Sequence, residues 1–421
     1  MEIKDEEKNY KKGVEHRLTI DGVTKPYQAY FVPIEGLYFN NMNGRISTYI
    51  EENDANPRAA NNVKALFDAG KLDEYNDQIA QFIKDSANDS GASFKKTKED
   101  IRTNGQKIPG VILRDGRIID GNRRFTCLRE LFKETGDTRF AFFECVILDV
   151  PETKEQQRSV KLLELNLQFN VDEKKDYNRI DFLVSFYKDT LDQTSPDVID
   201  KKTYCHAAGM KDSEYNENKA IVETMIDYLE WRGNPNAFYI LKNEKLDGPI
   251  EDVAKKKRKW TEDEWNDRKD TIYYYMTINQ TGDRTRDIRK ILDSAAKGGI
   301  LFNDLKETVE QPETSQSLND AVEALEKKPA TPEESKEKQE LLSKVQDTLI
   351  TTYQNGVFNE NTQNDANGPK KALDNALGVI SGINTLQVEN FPEDRKQELR
   401  DRIQKIRESL DKLENAADKV S

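Results

Sequence analysis

Five consecutive residues, Asp120-Gly121-Asn122-Arg123-Arg124, carry the groups an anion site needs. Ile118-Ile119 before them read as a short strand, and Phe125, Leu128, Leu131 and Phe132 after them share one face of a helix. The motif therefore falls at a strand-to-helix corner. A helix N-terminus offers unsatisfied N–H groups and a partial positive charge. Gly121 lets a ligand approach the backbone, and the planar guanidinium groups of Arg123 and Arg124 match phosphate oxygens. Together these make a phosphate-binding corner. Asp120 has three roles open to it: orienting an arginine, holding a metal ion or contacting a ribose hydroxyl. The plainer alternative has Asp120 capping the helix and the arginines facing solvent. Glu144, on a following strand, is a second candidate carboxylate for acid–base work, against the alternative of an outward-facing strand residue.

The elements that must hold this corner can be read from periodicity. Residues 18–34 read as strands around an Asp21-Gly22 turn. Segment 37–50 holds the turn dipeptide Asn43-Gly44, followed directly by Arg45. Residues 57–90 are helical in pattern, with Leu66, Phe67, Ile79, Phe82 and Ile83 at three-to-four spacing. Val111-Ile112-Leu113, the turn Asp115-Gly116 and Ile118-Ile119 make a hairpin. A further strand runs from Phe142 to Val150 and stops at Pro151. Beyond it the chain reads as helical, with three short helices over 199–231 broken at Gly209-Met210. Thr331-Pro332-Glu333-Glu334 is a helix start, with threonine as cap and proline at the first helical position. Residues 354–369 read as a polar linker. The final helix carries Leu399, Ile403, Ile406, Leu410, Leu413, Ala417 and Val420 at spacings of four and three, a seam for a bundle, an antiparallel hairpin or a parallel dimerising coiled coil.

Composition narrows the functions. The 421 residues suffice for two or three domains at about 150 residues each. Apolar residues make up 35% and charged residues 34%, against roughly 45–50% apolar in an average globular domain. Long solvated helices around a smaller compact domain are expected. Lys+Arg 65 against Asp+Glu 78 leaves a net charge of −13, whereas nucleic-acid-binding domains are usually basic. Any DNA contact must then be a local patch. Only two histidines, His16 and His206, argue against histidine catalysis or a histidine-rich metal site. Cys127, Cys145 and Cys205 are dispersed, which argues against a disulfide framework and for a reducing cytoplasm. No stretch approaches the roughly 20 apolar residues of a membrane span, and the N-terminus has no apolar signal region.

The run IPGVILRDGRIIDGNRRFTCLREL resembles the signature of the ParB/sulfiredoxin-like superfamily, in which a strand hairpin leads into G-x-R-R and a helix. YFNNMNGRI (38–46) is similar to the family's first box. ELNLQFNVDEKKDYNRIDFL (164–183) is similar to its helical box E-N-x-x-R, and 199–231 sit where ParB proteins carry a helix-turn-helix. The resemblance covers residues 18–231, with the DGNRR segment as its specific part. It implies an α+β fold: a small mixed-sheet domain over 1–150, a helical domain over 151–310 and a C-terminal helical bundle or short coiled coil over 311–421. It further implies that Gly121, Asn122, Arg123 and Arg124 cradle a nucleoside triphosphate, CTP or ATP, with or without Mg²⁺. Arg45 would face the same nucleotide, and Asn166 matches the asparagine of the helical box. Leu165 and Phe169 stand where that box has its glutamate and arginine, and Glu164 is one position, about 100° of helix, away. Asn122 stands where sulfiredoxins have their reactive cysteine, which excludes thiolate chemistry there.

The function implied is nucleotide-dependent association with DNA, with or without slow hydrolysis, by a cytoplasmic homodimer in a prokaryotic, mobile-element or phage-defence setting. One alternative is an enzyme (nuclease, NTPase or phosphotransferase) using Asp120 or Glu144. Another is a partner-binding protein with a vestigial pocket, its partner held by the C-terminal helices. Two weaker signals bear on DNA. A helix-turn-helix at 203–225 would bury Met210 and Tyr215 and expose Lys211, Asp212, Ser213, Glu214, Asn216 and Glu217, a face poor in base-reading arginine. The run Lys255, Lys256, Lys257, Arg258, Lys259, with Trp260 after it, suits a phosphate backbone and a stacked base, or else a solvated helix face. An arginine cluster over 282–289 has no role that the sequence assigns.

Overall fold

The computed structural model describes residues 10–20, 22–56, 59–86, 91–169, 178–192, 198–279, 282–327, 331–362 and 367–417. Among them, six strands form one mixed sheet: β1 Lys12–Ile20, β2 Val23–Pro33, β3 Tyr38–Phe39, β4 Gly110–Leu113, β5 Arg117–Asp120 and β6 Phe142–Leu148. Their spatial order is β1-β2-β6-β4-β5-β3. β1–β2, β2–β6 and β4–β5 are antiparallel, while β4–β6 and β3–β5 are parallel. The first hairpin starts six residues earlier than the periodicity predicts, because charged residues of β1 hide its alternation. Asp21 lies outside the described residues.

Both faces of the central strands are covered, which explains their unbroken apolar runs. Alternate residues go to opposite sides. Ile112, Ile118, Phe143 and Cys145 join Phe39, Phe125 and Leu128 in one core, and Val111, Leu113, Ile119 and Val146 join Leu18 and Leu163 in the other. The first core is roofed by α2 (Val63–Asp68), α3 (Leu72–Asp85), α4 (Ala92–Asn104) and α5 (Asn122–Thr135). The helical pattern at 57–90 thus resolves into α2 and α3, separated at Gly70, whose φ is +69°. α4 escapes sequence reading because Phe94 and Ile101 are its only buried apolar residues.

Past α1 (Ser47–Asp54), the chain from Pro151 onward is helical. α6 spans Lys154–Phe169, α7 Arg179–Thr190, α8 Lys201–Ala208 and α9 Asp212–Trp231. The predicted three short helices over 199–231 are two, since nothing after Lys211 breaks a continuous 20-residue α9. They are followed by α10 (Phe238–Asn243), α11 (Asp247–Lys257), α12 (Glu262–Ile278), α13 (Arg284–Ala295), α14 (Ile300–Glu310) and α15 (Pro312–Glu326). The chain ends in α16 (Pro332–Thr362), α17 (Gly368–Ser381), α18 (Thr385–Glu389) and α19 (Glu393–Ala417). Thr331 Oγ1 caps α16 by accepting from Glu334 N at 3.1 Å. The predicted linker at 354–369 is a correction: α16 runs on through its first nine residues.

The chain forms two compact units, Met1–Thr352 and Tyr353–Ser421. The helices to α15 therefore share a unit with the sheet, and the expected divisions at 150 and 310 fall inside it. In that unit the aromatics of α12 are core: Tyr273 packs edge-on to Tyr228 (5.1 Å between centroids) and Trp265 (5.4 Å). The 282–289 arginines also have structural work. Asp283 caps α13 through Arg286 N at 3.1 Å, Arg284 donates to Met276 O at 3.2 Å, and Arg289 ties α13 to Asp252 on α11 at 2.9 Å. Among the described residues no helix is long and apolar enough to cross a membrane.

Candidate functional site

The corner is built by local geometry. β5 ends at Asp120, and Gly121 turns the chain into α5 with φ +93° and ψ 22°. L-residues with a Cβ are strained there. Contact adds a second reason: a Cβ on Gly121 would sit 2.9 Å from Phe143 Cζ and 3.1 Å from Arg124 Nη2. No side chain caps α5 and its first turn holds no acid. Its first N–H groups therefore carry the positive end of the helix dipole. Arg124 folds back over Gly121, and its Nη2 donates to Asp120 Oδ2 at 2.7 Å. Asp120 thus orients an arginine, the first of the three roles open to it.

A cleft of about 260 Å³ opens at this corner, lined by Asp120, Gly121, Asn122, Arg123 and Arg124. Asn43 and Arg45 also line it. There Asn43 Oδ1 accepts from Arg45 N at 3.0 Å and sets a short 3₁₀ turn at Gly44–Ile46. Residues 80 positions apart thereby meet around one space. Asn122 Oδ1 is a buried acceptor without a hydrogen-bond partner among the described residues. Its amide can offer an oxygen to a hydroxyl or, turned over, an NH₂ to a phosphate oxygen.

Sequence reading missed the far wall. α3 supplies Ile83, α4 supplies Thr97, Asp100 and Ile101, and the loop before β4 supplies Lys107 and Ile108. Lys107 is tied to Asp100 at 2.7 Å, which holds that carboxyl below the ordinary aspartate range. The cleft is thus lined both by cationic side chains and by the apolar Ile83, Ile101 and Ile108. Asn104-Gly105 was the available signal, a turn dipeptide just before the hairpin. His16 was also discounted. It lies within electrostatic reach of the corner: burial lowers its pKa, the Asp120 carboxylate pushes it up and Arg124 pushes it down.

Two predicted site residues lie elsewhere. Glu144 is a correction: it is 6% exposed and outside the cleft lining. Its Oε1 accepts from Val14 N at 2.8 Å, at the irregularity between Lys12 and Glu15 where β1 loses register with β2. Gly13 is required beside it, since a Cβ there would sit 2.1 Å from Oε1. Glu144 therefore acts as a strand clamp. Asn166 is on α6, next to Leu167, which does line the cleft, but is itself outside the lining. Residues 170–177 of that box lie outside the described residues.

Glu164 faces a second cleft of about 550 Å³, shared with Asn40, Ser47, Arg117, Lys161 and Asp189. Burial, then the nearby Asp189 carboxylate, push its carboxyl up to about 8, against the pull of Lys161 and Arg117. Among the described residues no group of three or more His, Cys, Asp or Glu side chains is arranged to hold a metal ion.

Two of the five basic nucleic-acid candidates are committed to the fold. Lys256 pairs with Asp293 at 2.5 Å and Lys257 with Asp227 at 2.5 Å, and Trp260 stacks on Trp265. Lys255, Arg258 and Lys259 are exposed. α8 and α9 follow one another across Gly209, whose φ is +59°, and Tyr215 is buried. The exposed start of α9 carries Asp212, Glu214 and Glu217, and Lys201 is drawn to Asp212 at 3.1 Å. Cys127 is fully buried, its thiol pushed up to about 12, so it takes no part in thiolate chemistry.

Compared with protein-family models, with curated proteins and with solved structures, the chain matches none.

Proposed function

We propose that this protein binds a nucleoside triphosphate in the Arg45–Arg124 cleft and belongs with ParB-like nucleotide-binding proteins. The observation that carries the reading is the convergence of Arg45, Arg123, Arg124 and the uncapped start of α5 on one cleft. Phosphates would sit against the cationic side chains, where backbone N–H groups and guanidinium forks act together. A sugar and base would lie toward Ile83, Ile101 and Ile108, the apolar wall. Arg124 would exchange Asp120 for a phosphate oxygen, so binding would release the Asp120 carboxylate inside the cleft. Mg²⁺, where it took part, would be held chiefly by the phosphates. DNA association, the second half of the expectation, would run through the exposed Lys255, Arg258 and Lys259, because the start of α9 is acidic.

The test is thermal unfolding with inorganic triphosphate, ATP, GTP, CTP and UTP, each with and without Mg²⁺. A ligand at 100 times its dissociation constant stabilises by about 2.7 kcal/mol. A rise in Tm with at least one nucleotide, absent in Arg45→Ala, supports the reading. No rise with any of the five refutes it.

Asp120 in the cleft lining, with His16 within its electrostatic reach, favours one second reading, slow hydrolysis of the bound nucleotide. Asp120→Asn then abolishes phosphate release while nucleotide binding persists. Equal phosphate release by wild type and variant rejects that role.

A further inference from the structure

The second compact unit leaves a long apolar stripe in water. α19 has 25 residues, about 37 Å at 1.5 Å per residue. Ile403, Ile406, Leu410 and Leu413 on it are 41%, 43%, 46% and 53% exposed. With Leu399 and Ala417 they occupy the a and d positions of a heptad repeat. Val420, the last seam residue, lies outside the described residues. α17 has only 14 residues, about 21 Å, against about 28 Å from Leu399 to Ala417, so it is too short to cover the whole seam.

The residues flanking the seam decide what fits. Positions e hold Arg400, Arg407 and Glu414, and positions g hold Arg395, Arg402 and Ser409. In a parallel pair each g faces the following e of the partner. That would set Arg395 against Arg400 and Arg402 against Arg407, on both sides of the dimer. An antiparallel pair sets e against e. With Ile406 facing Leu410 of the second copy, Ile403 faces Leu413 and Leu399 faces Ala417, each layer occurring twice. Arg400 then meets Glu414 at both ends, leaving one Arg407–Arg407 contact in the middle.

We infer that α19 pairs with α19 of a second copy of this chain as an antiparallel two-helix coiled coil, locked at each end by Arg400 and Glu414. The pairing uses the seam from Leu399 to Ala417, and its flanking charges attract twice and repel once, where the parallel pairing repels four times.

The experiment is sedimentation of the full chain over a concentration series, with charge swaps at two exposed positions. Wild type dimerises reversibly. Arg400→Glu and Glu414→Arg each weaken the dimer roughly tenfold, because two attractive contacts become repulsive. Arg400→Glu/Glu414→Arg restores affinity to within about threefold of wild type. Leu410→Asp gives a monomer whose thermal unfolding of the first unit is unchanged. A dimer that tightens with Arg400→Glu is parallel and overturns the inference. So does a chain that stays monomeric to about 100 μM, whose seam is then covered within its own chain or by another protein. A dimer insensitive to Leu410→Asp overturns it too, since it forms elsewhere.

Discussion

Replacing Gly121 by alanine tests the corner against a built-in control, Gly136, the glycine at the other end of α5. Gly136 has φ +65° and nothing within 4 Å of where a Cβ would go. Gly136→Ala therefore incurs only the left-handed backbone cost, about 1 kcal/mol. Gly121 has φ +93° and a Cβ position 2.9 Å from Phe143 Cζ. Phe143 is fully buried and packs edge-on to Phe125 at 5.6 Å, so it has little room to recede. Crowding of this kind costs a further 1–2 kcal/mol or so. Gly121→Ala is thus expected to cost about 2–3 kcal/mol in all. At roughly 2 °C per kcal/mol in a unit this large, Tm should fall by about 4–6 °C, against about 2 °C for Gly136→Ala. The new methyl also presses on Arg124. Nucleotide affinity should therefore fall at least tenfold in Gly121→Ala and stay unchanged in Gly136→Ala. Differential scanning fluorimetry and nucleotide titration of both variants measure the two effects. Equal Tm losses would refute the steric argument. A destabilised Gly121→Ala that binds nucleotide normally would refute the placement of the phosphates.

Three other outcomes follow from the packing. Asp181, 1% exposed at its side chain, accepts from Thr48 Oγ1 at 2.5 Å and Lys242 Nζ at 2.6 Å, joining α1 to α7 and α10. Asp181→Ala strands the Lys242 charge and should cost about 3–5 kcal/mol, most of it recovered in Asp181→Ala/Lys242→Met, as urea midpoints would show. Glu164 keeps its proton in the folded chain up to about 8, whereas the unfolded chain releases it near 4.5. The folded state then holds more protons across that window, so stability falls as pH rises through it, and Glu164→Gln should flatten the slope and add about 1–2 kcal/mol at pH 8. Gln106 bonds Glu144 through both amide atoms, accepting from its N at 3.0 Å and donating to its O at 2.7 Å. Gln106→Ala should cost about 1–2 kcal/mol, read as a Tm loss that nucleotide does not alter.

What was legible in the sequence was local. Asp120 to Arg124 announce a corner because strand, glycine and amphipathic helix follow one another directly, and Asn43-Gly44 marks the turn carrying Arg45. The meeting of these two segments is tertiary and came only with the resemblance. The wall from α4 left only the Asn104-Gly105 turn as a mark, because one helix face with two buried apolar residues looks like solvated chain. Glu144 was misread because alternation along β6 gives a side but not a neighbour, and Val14 N reaches it from 130 positions away. Lys257 looked like a free cation for the same reason: its partner Asp227 is 30 positions back. Charge runs report composition, whereas ion pairs depend on which helices pack together.

The central claim is that Arg123 and Arg124 hold the phosphates of a nucleotide at the start of α5. Isothermal titration of the nucleotide that raises Tm most, into wild type and into Arg123→Ala/Arg124→Ala, tests it most directly. Each charge-assisted bond is worth about 1.5–3 kcal/mol, so losing two should weaken binding by at least a hundredfold, while the apo protein keeps a cooperative unfolding transition. Undiminished affinity in the double variant would contradict the account.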